Sequence, residues 1–193
     1  MKKSTMIVIG VIVVAILWAV FTYNGMVGKK ESATTALANV QATYQRRADL
    51  LPNLTKTVKA YAKHEKETFE AVTKARTEAT QIKLDAESLT PEKLAAFQKA
   101  QGDVSAAFGR LMAIAENYPE LKASENFKDL QVQLEGTENR INEARQKYNK
   151  AVQAYNQSVR TMPNVLVAGI FGFEKMSKFE AAEGSEKAPD LDI

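Results

Sequence analysis

The chain has 193 residues, a formal net charge of +3, one histidine and no cysteine. Disulfides, thiolate metal sites, a cysteine nucleophile and a lipidated cysteine anchor are therefore excluded. Setting Lys2 and Lys3 aside from the 26 basic residues leaves a near balance with the 23 acidic ones. Both signs are interspersed, as on solvated helix faces, so no nucleic-acid partner is expected.

After Lys2 and Lys3 no charge appears until Lys29. Between them Met6, Ile7, Val8, Ile9, Ile12, Val13, Val14, Ile16, Leu17, Trp18, Val20 and Phe21 form an almost wholly apolar run. Ser4 to Tyr23 supplies the roughly 20 residues that a helix needs to cross a bilayer. Trp18 and Tyr23 stand toward its far end, where amphipathic rings favour the interface. A cleaved signal peptide would have a shorter apolar region and a small-x-small exit, whereas this exit reads Phe21-Thr22-Tyr23-Asn24. Residues 1–28 are therefore predicted to be a cytoplasmic tip and a permanent single-pass anchor in the plasma (inner) membrane. Lys2, Lys3 and the amino terminus balance Lys29-Lys30-Glu31 closely. The positive-inside rule leans toward an inside N-terminus, with the remaining chain on the outer or periplasmic side.

From Leu37 the apolar residues recur at helical spacing: Leu37, Val40, Tyr44, Leu51, Leu54, Val58 and Tyr61, continued by Phe69, Val72, Ala75, Ala79 and Ile82. Pro52 either kinks this helix or breaks it, and a second break is possible between Tyr61 and Glu65. Thr90-Pro91-Glu92 restarts a helix with Thr as N-cap and Pro in the first position. Leu94, Phe97, Val104, Phe108, Leu111 and Ile114 mark its stripe, and Asn117-Tyr118-Pro119 stops it. Ser124 caps the longest helix, whose near-heptad stripe runs Phe127, Leu130, Leu134, Ile141, Tyr148, Val152, Tyr155 and Val159. Gly102 and Gly109 are expected where another helix approaches closely, in preference to a hinge, and Gly136 at close packing or a gentle bend. Val165 to Phe173 is too short to span a bilayer. Packing on the bundle is favoured for it over lying at the membrane surface, because its polar flank is not strongly basic. Residues 180–193 read as a disordered tail.

Catalytic chemistry has little to work with. His64-Glu65 lacks the second histidine of a zinc-binding helix, since position 68 is Thr. One histidine cannot furnish a carboxylate-bridged di-iron site. No catalytic residue, cofactor or metal is expected. The polar residues on or near the stripes are Arg47, Asn53, Arg76, Glu135, Asn139, Arg140, Asn142 and Arg145. They are expected either to pair across helices and fix register or to line a binding site, with pairing favoured.

Four ordered blocks carry a resemblance. They are Arg46-Arg47-Ala48-Asp49-Leu50-Leu51-Pro52-Asn53-Leu54, Tyr61-Ala62-Lys63-His64-Glu65, Glu116-Asn117-Tyr118-Pro119-Glu120-Leu121-Lys122-Ala123 and Leu134-Glu135-Gly136-Thr137-Glu138-Asn139-Arg140-Ile141. In these blocks the chain resembles the LemA family of bacterial membrane-anchored proteins. The resemblance implies a membrane anchor followed by an antiparallel, up-and-down four-helix bundle of long, coiled-coil-like helices over residues 29–179. It supplies no catalytic residues. Ala60 stands where similar sequences often have Gly, which weakens a helix break at that position. Some family members are encoded beside membrane proteases of the stress-response type, which implies a link to envelope quality control. The expected function is a membrane-anchored scaffold that binds the bilayer through its first helix and, through its bundle, an envelope protein or a second copy of itself. The competing expectation is a ligand-binding sensor or accessory factor built on the buried polar residues.

Overall fold

The computed structural model describes residues 3–180. Among these residues the chain forms six helices: α1 (Lys3–Tyr61), α2 (Lys66–Gln81), α3 (Pro91–Glu116), α4 (Pro119–Ala123), α5 (Glu125–Arg160) and α6 (Asn164–Phe171). This corrects the expected anchor followed by a four-helix bundle. The anchor and the first domain helix are a single helix of 59 residues, and α4 and α6 are additional short helices. All but Glu180 of the expected disordered tail lies outside the described residues.

Local chemistry explains both departures. Between Tyr23 and Leu37 the chain has no proline and no effective stop, so the ladder begun in the apolar segment runs on. The hydroxyls of Ser32 and Thr34 bond back to the carbonyls of Gly28 and Lys30, four residues earlier, and so do not compete with the helix. Pro119 in the first position starts α4. Gly172, at φ +68°, ends α6 in the left-handed conformation that glycine adopts without penalty. Where caps were predicted, they form: Thr90 accepts from the Lys93 amide and Ser124 from the Phe127 amide.

Pro52 does not break α1. It is exposed, while Leu50, Leu51 and Leu54 around it are buried. A helix-interior proline costs about 3 kcal/mol, and each buried leucine returns roughly 1.5–3 kcal/mol. Packing therefore carries the helix through. The real break lies at Ala62–Glu65.

α1 packs against every other helix, and α5 runs antiparallel along it. From Ala33 a seam of buried residues on α1 advances by four and three in alternation, Ala33, Leu37, Val40, Tyr44, Arg47, Leu51, Leu54 and Val58, with Ala48 and Leu50 buried beside it. This is the seam of a coiled coil. The core divides along it. A distal cluster joins Leu51, Leu54 and Val58 to α2, α3, α4 and the start of α5. A proximal cluster joins Met26, Leu37, Val40 and Tyr44 to Ile141, Tyr148, Val152 and Tyr155 of α5 and to Met176 and Phe179 beyond α6. The expectation of close helix approach at glycine is not met. A methyl group added at Gly102, Gly109 or Gly136 would meet nothing within 4 Å.

The Leu84 connection between α2 and α3 is tied to α1 through its backbone as well as through buried Leu84. Gln41 of α1 donates to the Leu84 carbonyl and accepts from the Leu84 amide. The side-chain amide thus pairs with a peptide group much as a neighbouring strand would.

Because Pro52 is exposed in a continuous helix, Pro52→Ala is expected to preserve the fold and raise the unfolding free energy by about 1–3 kcal/mol. Urea denaturation of the full chain in nanodiscs, followed by circular dichroism, measures this. A loss of stability would show that the domain requires the proline.

Candidate functional site

The two core clusters meet at Arg47. It occupies the seven-residue step between Tyr44 and Leu51 in the apolar stripe, and only 3% of it is exposed. Burying a guanidinium is unfavourable unless its donors are matched. Here one terminal nitrogen donates to Glu138 Oε2 at 3.0 Å and to Ser105 Oγ at 3.2 Å. The other donates to the backbone carbonyl and side-chain Oε1 of Gln101, at 2.8 and 3.0 Å. Its carbon lies 5.1 Å from the centroid of the Tyr44 ring. Arg47 therefore ties α1 to α3 and α5 at one level. Glu138 is half exposed, so the pair is open to water on one side.

The remaining sequence candidates are dispersed. Arg76 of α2 pairs with Asp49 of α1 at 3.3 Å, and both are partly exposed. Arg145 donates to the Glu180 carbonyl at 2.9 Å and lies over the Phe179 ring. Asn53, Glu135, Asn139, Arg140 and Asn142 are exposed. The structure thus brings Arg47 together with Gln101, Ser105 and Glu138, three residues outside the predicted set. Tyr44 sits between Arg47 and Arg145. Burial raises its pKa, against the lowering influence of the two arginines.

Sequence reasoning missed a second arrangement. After α6 the chain runs back along α5 as an extended strap, residues 173–180. Asn156 donates to the Met176 carbonyl and accepts from the Met176 amide. Asn149 does the same with Phe179. The hydroxyls of Tyr155 and Tyr148 donate to the carbonyls of Glu174 and Ser177. Asn149 and Asn156 are two helical turns apart, about 10.5 Å. Three residues of extended chain cover about 9–10 Å, so the two clips are in register with the strap. The available signal was the pair Tyr148-Asn149 repeated as Tyr155-Asn156. Burial pushes the Tyr148 hydroxyl up to about 12. Burial, and secondarily Glu174, raises that of Tyr155.

Beside the strap, α3 and α5 leave an open groove of about 1250 Å³, lined in part by Leu94, Gln98, Gln153, Gln157 and Arg160. Among the described residues no three His, Asp or Glu side chains converge as a metal site. One helix, α1, carries a segment long and apolar enough to cross a bilayer, and that segment is not buried against the rest of the chain.

The model of the LemA family matches residues 36–192. The chain belongs to the LemA family. This LemA-family chain is a membrane-associated helical protein. It is 29% identical over 174 residues to the magnetosome protein MamQ of Magnetospirillum gryphiswaldense, an alignment covering 81% of this chain and 64% of that protein. It is likewise 29% identical over 175 residues to magnetosome proteins MamQ 1 and MamQ 2 of Paramagnetospirillum magneticum, covering 82% of this chain and 64% of each. The LemA-family chain thus spans somewhat less than two thirds of the length of these curated relatives. Two of the four blocks that carry the family resemblance meet in space: one contributes Arg47, the other Glu138.

Two outcomes are expected. Arg47→Ala removes four hydrogen bonds from a buried seam and should cost about 3–5 kcal/mol. Glu138→Gln keeps an acceptor at a half-exposed position but takes the counter-charge from buried Arg47, and should cost about 1–3 kcal/mol, less than Arg47→Ala. Equal losses in denaturation of the two variants would contradict this asymmetry. The second concerns pH. A raised pKa means that the folded state favours the protonated phenol. The Tyr148 contribution is therefore intact below pH ~10, the ordinary tyrosine value, and is lost as pH rises toward about 12. The denaturation midpoint should fall across that window, and Tyr148→Phe should reduce the fall.

Proposed function

We propose that this chain is a single-pass membrane scaffold whose helical body presents binding surfaces to another envelope protein or to a second copy of the chain. The observation that carries the reading is the continuity of α1, one helix from the apolar segment to the distal end of the core. A body built on such a helix is held at a set height and tilt, which suits a docking platform. Residues 1–28 act as tip and anchor, and residues 29–179 as the domain. The N-terminus is cytoplasmic and the domain lies on the outer or periplasmic side, in keeping with the positive-inside rule applied to Lys2 and Lys3.

The polar residues serve register in this reading. Both terminal nitrogens of Arg47 already have protein acceptors, while its buried Nε has none, and a charged residue in a coiled-coil seam is a known means of fixing alignment. A ligand sensor built on the same residues would need them to converge on free space.

Crosslinking of the full chain in native membranes, read by mass spectrometry, tests the proposal. Reproducible crosslinks from the domain to one envelope protein or to a second copy are expected. Recovery of neither would overturn it.

A further inference from the structure

Helix α6 has an outer face that solvent does not explain. Val167 and Ala168 are buried on its inner face, against α1 and α5. On the outer side Leu166 is 58%, Ile170 78% and Phe171 56% exposed. Asn164–Phe171 contains no charged residue. A helix packed on the surface of a water-soluble body carries polar residues outward, and a cluster of exposed large apolar side chains marks an interaction surface.

Its position identifies what covers it. The Phe171 ring lies 4.9 Å from the ring of Tyr23 and the Phe173 ring 5.4 Å from it, both edge-on. Tyr23 stands where α1 leaves its apolar segment, just beyond the exposed Val20 and Phe21. The register of α1 and α5 agrees. Counting equal numbers of residues from the Arg47–Glu138 pair places Val159, near the end of α5, level with Met26. The outer face of α6 is therefore continuous with the apolar band of α1 at its far end. Lys29 and Lys30 lie about 9–11 Å further along α1, and Arg160 and Lys175 flank α6, at headgroup height. Glu31 and Glu174 moderate this charge, so apolar contact is the principal attraction.

We propose that α6 is seated in the interfacial layer of the bilayer that α1 crosses, with Leu166, Ile170 and Phe171 among the acyl chains. The inference rests on α1 spanning the bilayer. It adds a second point of attachment, so that α1 and α6 together fix how the body stands on the membrane.

The absence of cysteine allows single labels. The full chain carrying Ile170→Cys, Leu166→Cys, Val13→Cys or Val132→Cys is labelled with a nitroxide and placed in liposomes. Accessibility to oxygen and to a water-soluble nickel complex is measured, and a fluorophore on the same sites is tested against lipid-attached quenchers. The Val13 label is expected in the hydrocarbon. Labels at Leu166 and Ile170 should be shielded from nickel and quenched from the lipid. The Val132 label, on an exposed site of α5 level with the distal core, should be open to nickel. A buried Val13 label with nickel-accessible labels on α6 would overturn the seating while leaving the anchor intact. Labels on α6 shielded from nickel but not quenched from lipid would assign the face to protein and overturn it too. A nickel-accessible Val13 label would remove the anchor itself, and the proposal with it.

Discussion

The structure depends on one helix that does not stop. At about 1.5 Å per residue, the 59 residues of α1 span about 88 Å. Its first part is the exposed apolar segment, and its second part is the central seam of the core. Each remaining helix packs on it, so the distance of every other element from the apolar segment follows from its register with α1. The alternation of four and three between Ala33 and Val58 gives α5 a continuous groove to follow. An apolar seam alone would permit sliding by a heptad. Arg47 removes that freedom, because the acceptors on Gln101, Ser105 and Glu138 meet it in one alignment only.

A second device repeats three times. Gln41, Asn149 and Asn156 each turn a side-chain amide toward the backbone of an extended segment and make a donor–acceptor pair with it. Extended segments without a neighbouring strand would otherwise leave peptide groups unpaired against a helix. The clips bind backbone and not side chains, so they hold the strap whatever its outward residues are. They leave Met176 and Phe179 free to fill the proximal core. The strap in turn closes the bundle beyond the start of α3, where α1 and α5 would otherwise stand as an uncovered pair.

Features governed by local chemistry were legible in the sequence. The apolar segment, the Thr90 and Ser124 caps and the end of α3 at Asn117 all follow from short-range rules. The continuity of α1 was harder to read, because proline at position 52 is a strong local signal that buried leucines override. Arg47 was visible as a polar residue, but its role lay in the missing beat of the stripe between Tyr44 and Leu51. Glu138 was hidden for a related reason: it flanks the inward face of α5, while the neighbouring Glu135, Asn139 and Arg140 turn outward on the same helix. The partners of Asn149 and Asn156 lie 20 to 30 residues along the chain, across a reversal that periodicity does not reveal. The short helix α6 shows only apolarity in sequence. Its two faces are separated by the packing of Val167 and Ala168.

The central claim is that anchor and body are one rigid helix. It is tested most directly by a distance between spin labels on Phe21→Cys and Asn53→Cys in the full chain in nanodiscs. Both positions are exposed on α1, and an unbroken helix separates them by about 48 Å. The account predicts a narrow distribution centred near that value. A broad distribution, or one centred well below it, would show a hinge between membrane and body and would contradict the account.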